Sequence, residues 1–103
     1  MEFIDICAVD ELPPGKSRAV RVAGKDIALF NVAGTVHAIA NACLHQGSAL
    51  ADGIFSGRTV ACRAHGWRYD VTTGALAVSP ELGVACYPVE VADGRVAVAV
   101  NGK

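Results

Sequence analysis

Apolar residues along this chain come in short runs, and glycine or proline interrupts nearly every one of them. Pro13-Pro14-Gly15, Gly24, Gly34, Gly47, Gly53, Gly57, Gly66, Gly74, Pro80, Gly83, Pro88 and Gly94 leave gaps mostly under ten residues. Such gaps suit short strands joined by turns better than helices. The runs predict strands at residues 3–8, 18–22, 27–32, 35–40, 59–62, 67–70, 85–91 and 95–100. Ala23-Gly24, Ala33-Gly34 and Asp93-Gly94 fall between such runs, where a hairpin turn needs the positive φ that glycine supplies. Asp10-Glu11-Leu12 predicts a single helical turn. Residues 41–58 and 62–66 break the pattern and read as loops. The expectation is an all-β barrel or sandwich of small strands.

Composition sharpens that picture. At 103 residues there is room for one domain, taken as residues 1–103, and none for a second catalytic lobe. Apolar residues make up 52%, with 18 Ala and 14 Val but six aromatics, which favours thin, closely stacked sheets over a helical bundle. A net charge of −1 argues against a nucleic-acid binder and against a disordered acidic tail. Met1-Glu2-Phe3-Ile4-Asp5-Ile6 has acidic residues where a secretory signal needs a basic start, and no apolar run reaches membrane-spanning length. The expected compartment is the cytoplasm, with no membrane partner. There, four cysteines among histidines point to metal before disulfides.

The chemistry gathers in the two loops. The first reads Cys43-Leu44-His45-Gln46-Gly47-Ser48 and the second Cys62-Arg63-Ala64-His65-Gly66-Trp67-Arg68-Tyr69. Each offers one Cys and one His, spaced C-x-H and C-x-x-H, with a glycine soon after the His. Two thiolates and two imidazoles, offered pairwise from two loops, make a four-ligand metal site. A structural Cys2His2 zinc module is one reading. Zinc sites generally pair Cys with Cys and His with His along the chain, whereas a cluster of two unlike irons uses the alternating order.

The double loop followed by Gly66-Trp67-Arg68-Tyr69-Asp70 resembles the Rieske family of [2Fe–2S] proteins. The resemblance runs over nearly the whole chain. Residues 27–32 and 36–41 are similar to the strands leading into the first loop, and Leu50-Ala51-Asp52-Gly53 to the segment after it. Asp70-Val71-Thr72-Thr73-Gly74 and Tyr87-Pro88-Val89-Glu90-Val91 are similar to the later elements. It implies a Rieske-like β base with an inserted cluster-binding lobe at about 41–82. It also implies one [2Fe–2S] cluster, with Cys43 and Cys62 on an inner iron. His45 and His65 would hold an outer iron through Nδ1, each turning its Nε2 edge toward solvent. Two ferric ions, two sulfides and two thiolates sum to zero, so an added electron is better tolerated than with four thiolates.

The resemblance also points to a branch. Respiratory members carry an extra disulfide-forming Cys in each loop, where this chain has residues such as Ser48 and Ala64. Trp67 replaces the serine donor of high-potential members, while Tyr69 keeps the position of a tyrosine that donates to a ligand sulfur. The low-potential, oxygenase-associated branch fits best. With the chain ending at Lys103 and His37 the one further histidine, the expected protein is a free ferredoxin. It would take electrons from a flavin-dependent NAD(P)H reductase and pass them to a terminal oxygenase, docking at the His45/His65 edge. The alternative within the family is the small subunit of a nitrite reductase, many members of which lack these ligands. Cys7 and Cys86 are expected free and buried in strands, and Arg63 and Arg68 solvated or steering a partner. Ser79-Pro80-Glu81 is expected to be a proline loop over the cluster or an ordinary turn.

Overall fold

A computed structural model describes residues 2–44, 47–64 and 66–100. Its strands are β1 (Ile4–Ala8), β2 (Ser17–Val22), β3 (Lys25–Val32), β4 (Thr35–Ala40), β5 (Ile54–Ser56) and β6 (Thr59–Ala61). They continue as β7 (Arg68–Asp70), β8 (Ala75–Leu76), β9 (Ser79–Gly83), β10 (Cys86–Tyr87), β11 (Val89–Ala92) and β12 (Arg95–Val98). The only helical pieces among the described residues are single 3-10 turns at Val9–Glu11 and Leu50–Asp52. The chain is all-β. No helix among the described residues is long and apolar enough to cross a membrane.

Three antiparallel sheets form, in the orders β1-β12-β11, β10-β4-β3-β2 and β5-β6-β7-β8-β9. The β3–β4 hairpin is the shared floor. Alternate residues of a strand face opposite ways, so Ile27 and Leu29 enter one core with Val36, Ala38, Val96 and Val98. Ala28 and Phe30 enter another with Ile39, Leu50, Val60, Tyr69, Val71 and Leu76. Burial on both faces accounts for the unbroken apolar run Ile27-Ala28-Leu29-Phe30. Phe30 also meets Phe55 of β5 edge-on, with ring centroids 5.0 Å apart. The second core therefore joins the middle sheet to the five-stranded one, which holds the second ligand loop between β6 and β7.

The three hairpin turns form as expected, with both residues of each pair at positive φ (Ala23 51°, Gly24 81°; Ala33 51°, Gly34 101°; Asp93 54°, Gly94 75°). Other expectations need correction. The single strand at 85–91 is two, because Pro88 cannot continue a ladder and the chain changes sheet there. Within 41–58, residues Ile54–Ser56 form a strand, and Ala75–Leu76 form one that the sequence reading missed. Ser79–Gly83 is the edge strand β9, not a loop; an edge is where a sheet tolerates proline. The helical turn begins at Val9 rather than Asp10. Cys7 is buried as expected, but Cys86 is exposed on the short strand β10. None of the four cysteines, all of them described, is in a disulfide.

Beyond β7 the chain is fastened by Asp70. Its carboxylate accepts bonds from the Thr72 N–H (2.9 Å), the Thr72 hydroxyl (2.6 Å) and Arg58 Nη2 (2.9 Å). Burial alone would raise the Asp70 pKa, but the two Thr72 bonds and Arg58 outweigh it and hold the group below its ordinary value. Gly74 follows, with a φ of 83°, and a Cβ there would stand 2.3 Å from the Val84 carbonyl oxygen. A depressed carboxylate pKa stabilises the fold above the unfolded value of about 3.9, and that contribution is lost as pH falls through the folded pKa. Asp70→Asn is therefore expected to lower the unfolding temperature at pH 7 and to flatten its decline below about pH 4. Thermal melts of both proteins from pH 7 to pH 3 check this. Parallel curves would show that Asp70 does not contribute in this way.

Candidate metal centre

The first ligand loop leaves the middle sheet after β4, and the second joins β6 to β7. Their backbones close in the same way. In the first, the Cys43 N–H donates to the Ser48 carbonyl (2.8 Å) and the Gly47 N–H to the Cys43 carbonyl (2.7 Å). In the second, the Cys62 N–H donates to the Trp67 carbonyl (2.7 Å) and the Gly66 N–H to the Cys62 carbonyl (2.7 Å). Gly47 and Gly66 lie at φ 70° and 75°, the left-handed region each turn needs four residues after its cysteine. Both turns thus use their cysteine as donor and acceptor at once.

Cys43 and Cys62 are buried in the same core as Tyr69, Leu50 and Val60. His45 and His65, the other expected ligands, lie outside the described residues. Tyr69 is fully buried; its oxygen accepts the Leu44 N–H at 2.9 Å and lies 3.3 Å from Cys43 Sγ. Either atom could donate in that pair; were Cys43 a metal-bound thiolate, it would have no proton to give and Tyr69 would be the donor. Its pKa is pushed up to about 12, first by burial and next by the bond to Cys43, with the charges of Cys43 and Cys62 adding to the effect. The Leu44 N–H opposes the rise. The phenol keeps its proton at any physiological pH. Two buried thiols, one already facing a protonated donor, fit a metal site that needs thiolates screened from water and stabilised by hydrogen bonds.

Of the seven large hydrophobic residues exposed among those described, Leu44 and Trp67 lie on the two loops, Ile54 and Leu82 on the edge strands of the five-stranded sheet, and Val78 in the turn between β8 and β9. Pro80 is exposed on β9. Arg68 is exposed on β7, and Arg63, also exposed, donates its Nε–H to the Asp52 carbonyl. His37 is half-buried on β4 opposite Phe30. Burial lowers its pKa most, Asp70 opposes the drop, and Arg58 adds to it.

Sequence reasoning missed several contacts that fix the loops. Asn41 Oδ1 accepts the Ala51 N–H (2.7 Å) and Ser17 Oγ donates to the Ala51 carbonyl (2.9 Å). Ser17 is 34 positions from Ala51, so no local pattern could mark it. Asn41, two residues before Cys43, stands in a motif stretch and could have been singled out.

The Rieske [2Fe–2S] domain model matches residues 2–88. The ferredoxin component of the naphthalene 1,2-dioxygenase/salicylate 5-hydroxylase systems of a Ralstonia species is 37% identical over 95 residues, covering 91% of each chain. A chain in the complex of reduced oxygenase and oxidised ferredoxin of carbazole 1,9a-dioxygenase superposes with a TM-score of 0.85. It is 32% identical and covers 94% of this chain and 92% of its own. A nitrite reductase small subunit from Mycobacterium tuberculosis, described as NADH-dependent, superposes at 0.87 with 28% identity, covering 99% and 97%. These matches set aside the zinc alternative. With its paired loops, buried thiols and buried tyrosine hydroxyl beside one of them, the chain belongs to the Rieske [2Fe–2S] domain family, whose cofactor is a single [2Fe–2S] cluster.

Proposed function

We propose that this chain is a one-electron carrier, the ferredoxin component of an oxygenase system rather than a catalyst. Its ligands are Cys43 and Cys62 on the inner iron and His45 and His65 on the outer. It takes electrons from a flavin-dependent NAD(P)H reductase and delivers them to a terminal oxygenase. The observation that carries this reading is the burial of Cys43 and Cys62 against the Tyr69 hydroxyl, in a chain whose relatives are ferredoxin components. When bound, the cluster supplies the one-electron couple. The chain's own residues keep water from the thiolates, hold a proton on Tyr69 directed at Cys43 Sγ, and present an apolar rim to the partner. Leu44, Trp67 and Pro80 form that rim, with docking centred on the His45 and His65 edges. Redox encounters of this kind use small, weak interfaces. Cysteines outside disulfides, as here, persist in the reducing cytoplasm, where we place the protein.

Purified protein is expected to be red-brown, with two irons and two sulfides per chain by chemical analysis. Replacing Cys43, His45, Cys62 or His65 singly should remove or remodel the cluster, and colourless protein holding one zinc would refute the assignment. Mixed with a reductase, reduced nicotinamide and its oxygenase, the protein should be required for product yet turn over no organic substrate alone. The similarity to a nitrite reductase subunit favours one rival acceptor, and support of nitrite reduction instead of oxygenation in the same assay would establish it.

The midpoint potential is expected toward the lower end of the Rieske range, on the order of −150 mV. Tyr69→Phe should lower it further, because the reduced cluster loses a donor to a ligand sulfur. Voltammetry of both proteins checks the direction. A midpoint that stays put or rises would show that the Tyr69 proton does not reach the sulfur.

A further inference from the structure

Each of the four residues after the first ligand loop is held by a different part of the molecule. Leu50 is fully buried in the core that also contains Cys43 and Cys62. Ala51 is bonded at both backbone polar atoms, its N–H to Asn41 Oδ1 at 2.7 Å and its carbonyl by Ser17 Oγ of β2 at 2.9 Å. The Asp52 carbonyl accepts Arg63 Nε–H from the second ligand loop. Gly53 lies so close to β6 that a Cβ would stand 2.5 Å from the Ala61 carbonyl oxygen and 2.9 Å from Val60 Cγ2. The neck is anchored from behind as well, since the Asn41 N–H donates to the Asp26 carbonyl of β3 at 3.0 Å.

The main-chain bonds inside each ligand loop fix the shape of that loop alone. They say nothing about where one loop stands relative to the other. A cluster bridging the two loops is held only as firmly as that relative placement. Asn41 closes the first loop across its neck, joining residue 41 to residue 51, while Arg63 reaches from beside Cys62 to the adjoining peptide. The two contacts meet on consecutive residues.

We propose that Asn41 and Arg63 are positioning residues for the cluster. Asn41 locks the neck of the first ligand loop to the middle sheet, and Arg63 ties the exit of that loop to the second. Together they set the separation and tilt of Cys43 and Cys62 about the iron they share. This inference rests on the ligand assignment above. In the bond to Ala51, Asn41 acts only as an acceptor, so aspartate can replace it there, whereas leucine fills a similar space without an acceptor.

The test uses holoprotein: wild type, Asn41→Asp, Asn41→Leu, Arg63→Ala and Arg63→Lys. Iron release to excess chelator and the electron paramagnetic resonance lines of the dithionite-reduced cluster are measured for each. Asn41→Leu is expected to release iron about ten-fold faster, equivalent to about 1.4 kcal/mol in the opening equilibrium, with broadened lines. Asn41→Asp should stay with wild type. Arg63→Ala should broaden the lines while leaving the unfolding temperature in place, and Arg63→Lys, which keeps a donor, should restore them. If Asn41→Leu does not fold, the Arg63 pair decides the question. Wild-type release and lines in Asn41→Leu and Arg63→Ala would overturn the inference, as would an Asn41→Asp protein as labile as Asn41→Leu. A wild-type protein without a cluster would instead remove the assignment beneath it.

Discussion

The structure depends on one hairpin being buried on both of its faces. β3 and β4 send Ile27, Leu29, Val36 and Ala38 to one side and Ala28, Phe30 and Ile39 to the other. Each face would be unstable without a cover, and the chain supplies two. The sheet of β1, β11 and β12 closes the first core; the five-stranded sheet closes the second. Cys43 and Cys62 belong to the second core, so the placement of these two thiols and the packing of the sheets are one problem. Small side chains suit this layered arrangement, where two cores share a single sheet only one residue thick.

That arrangement explains which parts of the protein could be read from its sequence. The β3–β4 hairpin and the Ala-Gly and Asp-Gly turns were legible because turn chemistry and strand pattern are local. The paired cysteines were legible because their spacing is itself the signal. The strand Ile54–Ser56 was not, having only three residues and one, Ile54, well exposed. Pro80 misled in the other direction: proline usually marks a turn, but β9 is an edge strand where its missing N–H costs no ladder bond. Cys86 was assigned to the interior by residue type. It is exposed because Pro88 ends its strand after two residues and sends the chain to another sheet. The grip of Ser17 on Ala51 spans 34 positions and exists only once the sheets have packed.

Around Cys43 and Cys62 the described residues supply burial and, beside Cys43, a buried phenol hydroxyl. The ion pairs among the described residues, Arg18–Glu11, Arg21–Asp26, Arg58–Asp70 and Arg95–Asp5, involve none of the ligand-loop residues. Next to Cys43 one polar contribution is a neutral phenol whose oxygen is already fixed by the Leu44 N–H. A neutral donor held in place adds little reorganisation when the charge beside it changes, which suits a centre that gains and loses an electron repeatedly.

Each ligand turn is closed by main-chain bonds on both sides of its cysteine, and its glycine supplies the one unusual backbone angle. The side chains of Leu44 and Ala64 on these turns are exposed and do not close them. Mutation can therefore rewrite the face shown to a partner while leaving the turns themselves intact. A lineage of such proteins can acquire new redox partners by exchanging a few surface residues, and never has to reinvent the metal site to do so.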